Sequence, residues 1–409
     1  MKKILYLIAE DSYFCSHRLE LATFMQQKGY KVAVATRCSK SIYKNAILQN
    51  KIEIFELKFF CRANCINPFK EILAFKELYN IYSTFKPDIV HHVALKSVIY
   101  GTIVAKFTKV NKIINALAGL GFVFTEFTYK FNSNPIINYL KNIKLIIKQK
   151  ILQLIVYKLL KLIIVSNKQQ NKILLLQNND DLDMLKKHTG INDSQVKVAL
   201  VAGSGINIEK YYKSEPLNAV NFSNNNIKIV LISRLLWTKG IYEFVQAAKQ
   251  IKNYIINNNL SIKPEFILYG DVDNKNPASV HYSDLKIWQE QGLITWKHFC
   301  HDVVAAYSDC HIAVLPSYRE GLPKTLLEAA ACARAIVTTD VPGCRDIVVD
   351  GVNGYLVPKQ NSDRLVSALL KLMQDQELMI NMGKIGRQKI YDQFSEQFIF
   401  PKTLEVYVS

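Results

Sequence analysis

Along the first 120 residues, short apolar-rich runs alternate with stretches of helical spacing. Residues 4–8 (ILYLI) form one continuous apolar run, and 31–35, 52–57, 88–92 and 112–117 repeat the strand theme with polar or charged residues among the apolar ones. Such runs mark strands buried on both faces, as in a parallel sheet. Between them, residues 19–27 carry apolar positions every three or four residues and stop at Gly29, a helix terminator. Helical stretches follow near 69–84 and 97–107. The pattern restarts with a strand at 227–232, a helix at 242–254, and strands at 266–269, 312–315 and 335–338. This alternation predicts a doubly wound α/β domain, present twice. The segment 202–223, rich in Gly, Asn and Ser, reads as the connector. The expected domains are 1–205 and 206–390, with a last helix at 391–409 crossing back to the first. Ligands of such sheets bind at the C-terminal strand ends, here expected to face a cleft between the domains.

One stretch departs from this rhythm. Residues 136–160 read as a basic helix with Lys141, Lys144, Lys148, Lys150, Lys158 and Lys161 (the last just beyond it) among Ile and Leu. Composition sharpens its meaning. The 409 residues are 49% hydrophobic, which excludes a disordered chain. Lys and Arg number 52 against 34 Asp and Glu, a net charge of +18. Residues 1–205 hold 30 basic and 13 acidic residues, net +17; residues 206–409 hold 22 and 21, net +1. The cationic half therefore points to a polyanion or an anionic membrane surface, and those six lysines are the expected contact. The apolar run at the N-terminus is too short for a secretory signal, and no stretch reaches the roughly 18 uncharged residues that span a bilayer. The expectation is a cytoplasmic protein, peripheral on the inner face of the membrane. Eight Cys at 15, 38, 61, 65, 300, 310, 332 and 344 lack the paired spacing of a zinc site and are expected to be free thiols.

The densest chemistry lies between His311 and Val348. It reads strand, loop, helix, strand, with Pro323 at the expected first helical position. The amides of Lys324 and Thr325 then open a helix N-terminus, a site suited to phosphate. Glu320, just before it, needs a partner other than phosphate, and sugar hydroxyls fit. Glu328, over a turn further on, can accept from the hydroxyls of a nucleotide ribose. A second cluster, ISRLLWTKG, follows the first strand of the second half and carries Arg234 and Lys239. A guanidinium fork and an ammonium suit a diphosphate whose charge grows as it departs.

Together, Glu320-x7-Glu328, RLLWTKG, AGSGINIEKY and DVPGCRDIV resemble the family 4 retaining glycosyltransferases. The phrases EDSYFCSHRLELA, DIVHHVALKSVIYG and NALAGLGFVFT match in the same order, so the resemblance covers about residues 3 to 395. It implies the GT-B fold, two Rossmann-like domains facing a cleft. The activity it implies is transfer of a hexose or N-acetylhexosamine from a nucleotide sugar, UDP in the main reading, to a polyprenyl-diphosphate-linked sugar in O-antigen, capsule or glycan assembly. Neither cofactor nor metal is implied. Arg234, Lys239 and Glu320 take the catalytic roles, and Glu328 binds ribose. Gly203, Gly205, His298 and Gly321, with the amides of Leu322, Lys324 and Thr325, complete the donor site. His17, Arg18, His92 and Lys96, with the backbone of Gly119 and Gly121, fall on the acceptor side; His91 alternates with His92, so only one should face the cleft. Departures from the family pattern are the absence of glycine in 12–16, Ala118-Gly119-Leu120-Gly121 where His is usual, and His298 and Ala333 where Gly is usual.

Two rival readings have weaker support. A non-hydrolysing nucleotide-sugar epimerase shares the architecture, and the Arg234–Lys239 and Glu320–Glu328 phrases disfavour it. A nucleic-acid-binding protein would fit +18, but no recognised module or aromatic-basic interleaving is present.

Overall fold

The computed structural model describes residues 1–60, 68–117, 119, 124–125, 135–165, 171–192, 195–222, 225–273, 276 and 278–409. Two compact units emerge: Met1–Phe124 with Thr128–Ser204 and Ile399–Ser409, and Gly205–Phe398 with a short piece at 125–127.

In the first unit the chain runs β1 (Lys3–Glu10), α1 (Asp11–His17), α2 (Leu19–Gln27), β2 (Lys31–Arg37), α3 (Ser41–Gln49), β3 (Glu53–Glu56) and α4 (Pro68–Phe85). It continues through β4 (Ile89–Val93), α5 (Leu95–Phe107), β5 (Lys112–Leu117), α6 (Pro135–Val165), β6 (Asn171–Leu176), α7 (Asn179–Thr189) and β7 (Lys197–Leu200). The strands pair in the order β3-β2-β1-β4-β5-β6-β7, all in parallel. Helices cover both faces, which is why β1 is apolar at successive positions: Ile4, Tyr6 and Ile8 join one core cluster and Leu5 and Leu7 the other.

In the second unit α8 (Ile208–Tyr211) precedes β8 (Asn226–Ile232), α9 (Ile241–Asn257), β9 (Lys263–Tyr269), α10 (Tyr282–Glu290), β10 (Thr295–Lys297) and α11 (Val303–Ser308). Then follow β11 (Ile312–Leu315), α12 (Lys324–Ala331), β12 (Ala335–Thr339), α13 (Cys344–Ile347), β13 (Gly354–Val357), α14 (Ser362–Gln374) and α15 (Gln376–Phe394). The sheet order is β10-β9-β8-β11-β12-β13. The expected last helix is two helices: α15 ends at Phe394, and α16 (Glu396–Val408) begins after Ser395. From Ile399 onward α16 belongs to the first unit, where Ile399, Phe400, Val406 and Tyr407 complete the core around Tyr6.

Each sheet has one place where the strand order reverses: between β1 and β4, and between β8 and β11. In doubly wound sheets ligands bind at the C-terminal strand ends beside such a reversal.

Candidate active site

In the second unit the two loops beside the β8/β11 reversal are locked together. The loop after β8 turns through Trp237–Lys239 and ends at Gly240, whose φ of +74° is the left-handed region. A Cβ there would lie 2.1 Å from the Pro316 carbonyl oxygen, so only glycine lets the two loops approach this closely. Across the junction the Thr238 carbonyl accepts from the Tyr318 amide at 2.9 Å and from Ser317 Oγ at 3.1 Å. The contact brings Lys239 Nζ onto Glu320 Oε1 as an ion pair, with the side chains only 18% and 11% exposed. Two residues joined in sequence only by inference thus meet in space. Arg234 lies at the end of β8 on the exposed surface.

Sequence reasoning missed how this loop is held from behind. Glu243 of α9 is buried, and both its carboxylate oxygens accept from Tyr318 Oη, at 2.9 and 3.0 Å. Thr339 Oγ1 donates to the Ser317 carbonyl. Gly343 has φ +78°, and its Cα faces the Gly321 carbonyl so closely that a Cβ would come within 2.4 Å of that oxygen. Buried Gly321 is therefore seated on the start of α13, and half-buried Leu322 follows it. Tyr318 stands two residues before Glu320, but no local pattern announces its partner 75 positions away.

The helix after Glu320 starts one residue later than expected. Pro323 is the N-cap, with φ −72° and ψ 110°, and Lys324 is the first helical residue. The extended ψ lets the Pro323 carbonyl accept from the amides of Leu326 and Leu327, at 3.1 and 3.3 Å. The peptide N–H groups of Lys324 and Thr325 stand at the mouth of α12, as the phosphate reading requires. Glu328, one turn in, is buried and accepts from Tyr211 Oη at 2.7 Å. Tyr211 closes the phrase AGSGINIEKY, so its signal was present without its role. Gly203 and Gly205 both adopt φ +79° at the connector. His298 sits just past the end of the edge strand β10, exposed, with Nδ1 3.2 Å from Asp271 Oδ1.

The first unit corrects more of the expectations. No loop follows β1; α1 begins directly at Asp11. The buried Asp11 carboxylate accepts from the amides of Ser12 and Ser39 and from Ser39 Oγ, tying this end of β1 to the end of β2. His17 lies half-buried, stacked flat on Tyr13 with centroids 4.1 Å apart, its Nδ1 2.7 Å from Ser16 Oγ. Arg18 is buried; Nη1 donates to the His17 carbonyl at 2.9 Å, and Nε has no hydrogen-bond partner among the described residues.

His92 does not line an open surface. It is fully buried, with Nε2 3.0 Å from Tyr82 Oη and Nδ1 2.8 Å from Asn115 Oδ1. Burial lowers its pKa to about 4. His91 is equally buried, stacked on Tyr6 and bonded to Tyr407 Oη, and burial with the nearby Arg18 charge holds it neutral. Alternation places the two on opposite faces, but helices cover both faces of this sheet. Lys96 is likewise engaged: its ammonium pairs with Glu71 at 2.9 Å and lies over the Phe60 and Tyr100 rings. Gly119 has φ +79°; Gly121 lies outside the described residues. All six described cysteines are free: Cys310, Cys332 and Cys344 buried, Cys15, Cys38 and Cys300 half-buried; Cys61 and Cys65 lie outside the described residues.

Comparison with known proteins bears on the family and the fold. Residues 3–153 match the family described as Glycosyl transferase 4-like, and residues 214–389 match Glycosyl transferases group 1. The chain is 26% identical over 364 residues to the N,N'-diacetylbacillosaminyl-diphospho-undecaprenol alpha-1,3-N-acetylgalactosaminyltransferase of Campylobacter jejuni, covering 87% of this chain and 85% of that one. It is 25% identical over 379 residues to the UDP-Gal:alpha-D-GlcNAc-diphosphoundecaprenol alpha-1,3-galactosyltransferase of Escherichia coli, covering 91% and 87%. Among solved structures, sucrose-phosphate synthase of Thermosynechococcus elongatus superposes with a TM-score of 0.74 at 16% identity, over 100% of this chain and 98% of that one. Anabaena HepE, in complex with UDP and glucose, superposes over the whole of both chains with a TM-score of 0.70 at 15% identity. Both share the fold. With residues 3–153 and 214–389 each matched to a glycosyltransferase family and two parallel sheets that each reverse strand order once, the chain belongs to the family 4 glycosyltransferases of the GT-B fold.

Proposed function

We propose that this glycosyltransferase moves a hexose or N-acetylhexosamine from a UDP sugar to a sugar carried on polyprenyl diphosphate, with retention at the anomeric carbon, in surface-polysaccharide or glycan assembly. The observation that carries the reading is the Lys239–Glu320 pair, set between the two locked loops at the β8/β11 reversal and beside the mouth of α12. The printed names of the Campylobacter and Escherichia relatives support the acceptor class.

In this reading the donor diphosphate lies against Arg234, Lys239 and the N–H groups of Leu322, Lys324 and Thr325. Glu320 accepts from the sugar hydroxyls, and Glu328, steadied by Tyr211, accepts from the ribose. The bond from the anomeric carbon to the diphosphate oxygen breaks while the acceptor hydroxyl bonds to the same face. The departing phosphate takes the hydroxyl proton, so no side-chain base is required. Negative charge builds on that phosphate in the transition state, where Arg234, Lys239 and the α12 dipole stabilise it most. The same groups supply the role a divalent cation has elsewhere, so activity should persist in chelator. On the acceptor side, the unpartnered Nε–H of Arg18, whose Nη1 holds the His17 carbonyl, supports a contact to the lipid diphosphate.

Among the described residues no helix is long and apolar enough to cross a membrane. The acceptor reading places the protein on the inner face of the cytoplasmic membrane, held by the basic first unit. Lys148, Lys150, Lys158 and Lys161 of α6 are exposed, as that requires; the side chains of Lys141 and Lys144 lie outside the described set. Each lysine near an anionic surface contributes about 1 kcal/mol.

A screen of nucleotide sugars against a short-chain polyprenyl-diphosphate sugar, read by mass spectrometry, tests the proposal. A product heavier than the acceptor by one hexose or N-acetylhexosamine is expected. Conversion of the donor alone into an epimer would instead establish the rival enzyme.

A further inference from the structure

One helix in the first unit is built against the usual rule for a surface helix. The inner face of α6 is ordinary: Val156, Tyr157, Leu160 and Ile164 are buried with Val98, Leu174 and Leu185. Its outer face should be polar, since water covers it. Instead Ile147, Ile151, Leu154, Ile155 and Leu162 stand 53%, 54%, 62%, 49% and 66% exposed. Their spacing puts them on one stripe opposite the core, running about 22 Å along the helix. Lys148 borders the stripe on one side and Lys150 and Lys161 on the other, while Lys158 rises within it. The 31 residues of α6 include no Asp or Glu.

We infer that α6 is an interfacial helix whose aliphatic outer stripe enters the acyl region of an anionic bilayer, with its lysines reaching back to the headgroups. This rests on the lipid-linked acceptor reading and goes beyond the charge contact proposed there. Charge alone would hold the protein above the headgroups and would fade with salt, whereas an inserted stripe holds by burial that salt does not screen. Lys158 does not spoil the stripe, because its alkyl stem lies along apolar surface while the ammonium reaches outward. The stripe is ill suited to a second copy of itself. Two such helices face to face would bring together lysines with no carboxylate on either helix to answer them, whereas anionic lipid supplies that counter-charge.

The test uses the full chain and vesicles of phosphatidylcholine with and without phosphatidylglycerol. In the variant Leu154→Trp, the new indole should shift to the blue on adding anionic vesicles and be quenched by lipids brominated along the acyl chain. Flotation with anionic vesicles should persist at about 0.5 M salt, where headgroup attraction is largely screened. The triple variant Ile151→Ser, Leu154→Ser, Ile155→Ser should lose at least tenfold in partition at that salt, with its circular dichroism and melting temperature unchanged. A variant Lys148→Gln, Lys158→Gln, Lys161→Gln should lose mainly the preference for anionic lipid. Binding of the wild type that salt abolishes, an indole in Leu154→Trp that brominated lipid leaves unquenched, or a triple variant that floats as well as wild type would overturn the inference. So would a lipid-free dimer that the triple variant dissolves. Transfer by the wild type to a water-soluble short-chain acceptor is measured separately, so a failed activity reading is distinguishable from a failed insertion.

Discussion

Gly343 touches no substrate in the proposed mechanism, yet it should be among the most sensitive positions in the second unit. Replacing it with Ala has two costs that can be separated. The first is backbone strain: φ is +78°, where an L side chain costs about 1–2 kcal/mol. The second is a collision, because the new Cβ would lie 2.4 Å from the Gly321 oxygen, 2.7 Å from its carbonyl carbon and 3.2 Å from Leu322 Cα. Reaching even a tight contact moves the Gly321 peptide by about 0.6 Å in a densely packed setting. That peptide sits between Glu320 and the mouth of α12. A misplacement of about 1 Å can cost roughly 10²-fold in rate, so a loss in kcat of about tenfold or more is expected. Gly351→Ala provides the control, with φ +72° and nothing within 4 Å of the added atom. It should show the strain alone: a melting temperature lower by a few degrees, at about 2–4 °C per kcal/mol, with activity retained. Steady-state transfer assays and thermal melts on both variants decide the matter. If Gly343→Ala keeps full kcat and melts with Gly351→Ala, the claim that α13 seats the donor loop is wrong.

Four further outcomes are expected. Arg234→Ala should lower turnover by roughly 10², as loss of one anion-stabilising donor does, and near-normal turnover would remove it from the diphosphate site. Tyr211→Phe takes a 2.7 Å hydrogen bond from Glu328 and should raise the donor KM by roughly tenfold with a smaller change in kcat; an unchanged KM would detach Glu328 from donor binding. His92 has a folded pKa of about 4 against an ordinary 6.5, so the unfolded chain takes up its proton first as pH falls. Stability should therefore drop below pH 6.5, by roughly 3 kcal/mol at pH 4, and urea unfolding of His92→Gln should show a shallower fall; identical slopes would contradict the burial. Ala94 has φ 72° and ψ 160°, a region populated almost only by glycine, so Ala94→Gly should raise the melting temperature, the relieved strain of about 1–3 kcal/mol exceeding the added chain entropy. A lower melting temperature would show that the backbone there is unstrained.

The parts legible in the sequence are those whose signal is local. The strand Ile312–Leu315 has the expected ends because it is an unbroken apolar run between His311 and Pro316, and Lys112–Leu117 has them because its apolar residues, broken only by Asn115, follow a polar pair at 111–112. The pairing of RLLWTKG with Glu320 is legible because each lies on a loop leaving a central strand. Short edge strands are not: β10 is three residues, Thr-Trp-Lys, with no apolar run. His91 and His92 show a limit of the two-residue period, which assigns faces but does not say whether a face is covered. Pro323 shows another, since its fixed φ suits the N-cap as well as the first helical position, and only ψ separates them. The supports of the site, Glu243 under Tyr318 and Tyr211 on Glu328, span 75 and 117 residues, so no window of sequence shows either pairing, although Tyr211 itself closes the phrase AGSGINIEKY.

The ending of α16 has a consequence for how the protein is made. Tyr407 is buried in the first unit, where it bonds Tyr6 and the ring of His91 and its carbonyl takes the Lys112 ammonium. These residues leave the ribosome after the whole of Gly205–Phe398. The first unit, although synthesised first, must wait for the second with a slot beside β1 unfilled and its apolar lining open to water. At about 5–20 residues per second that wait lasts on the order of ten seconds or more. The order of synthesis and the order of completion are thus reversed, and the first unit is the one exposed to chaperones and to aggregation during translation.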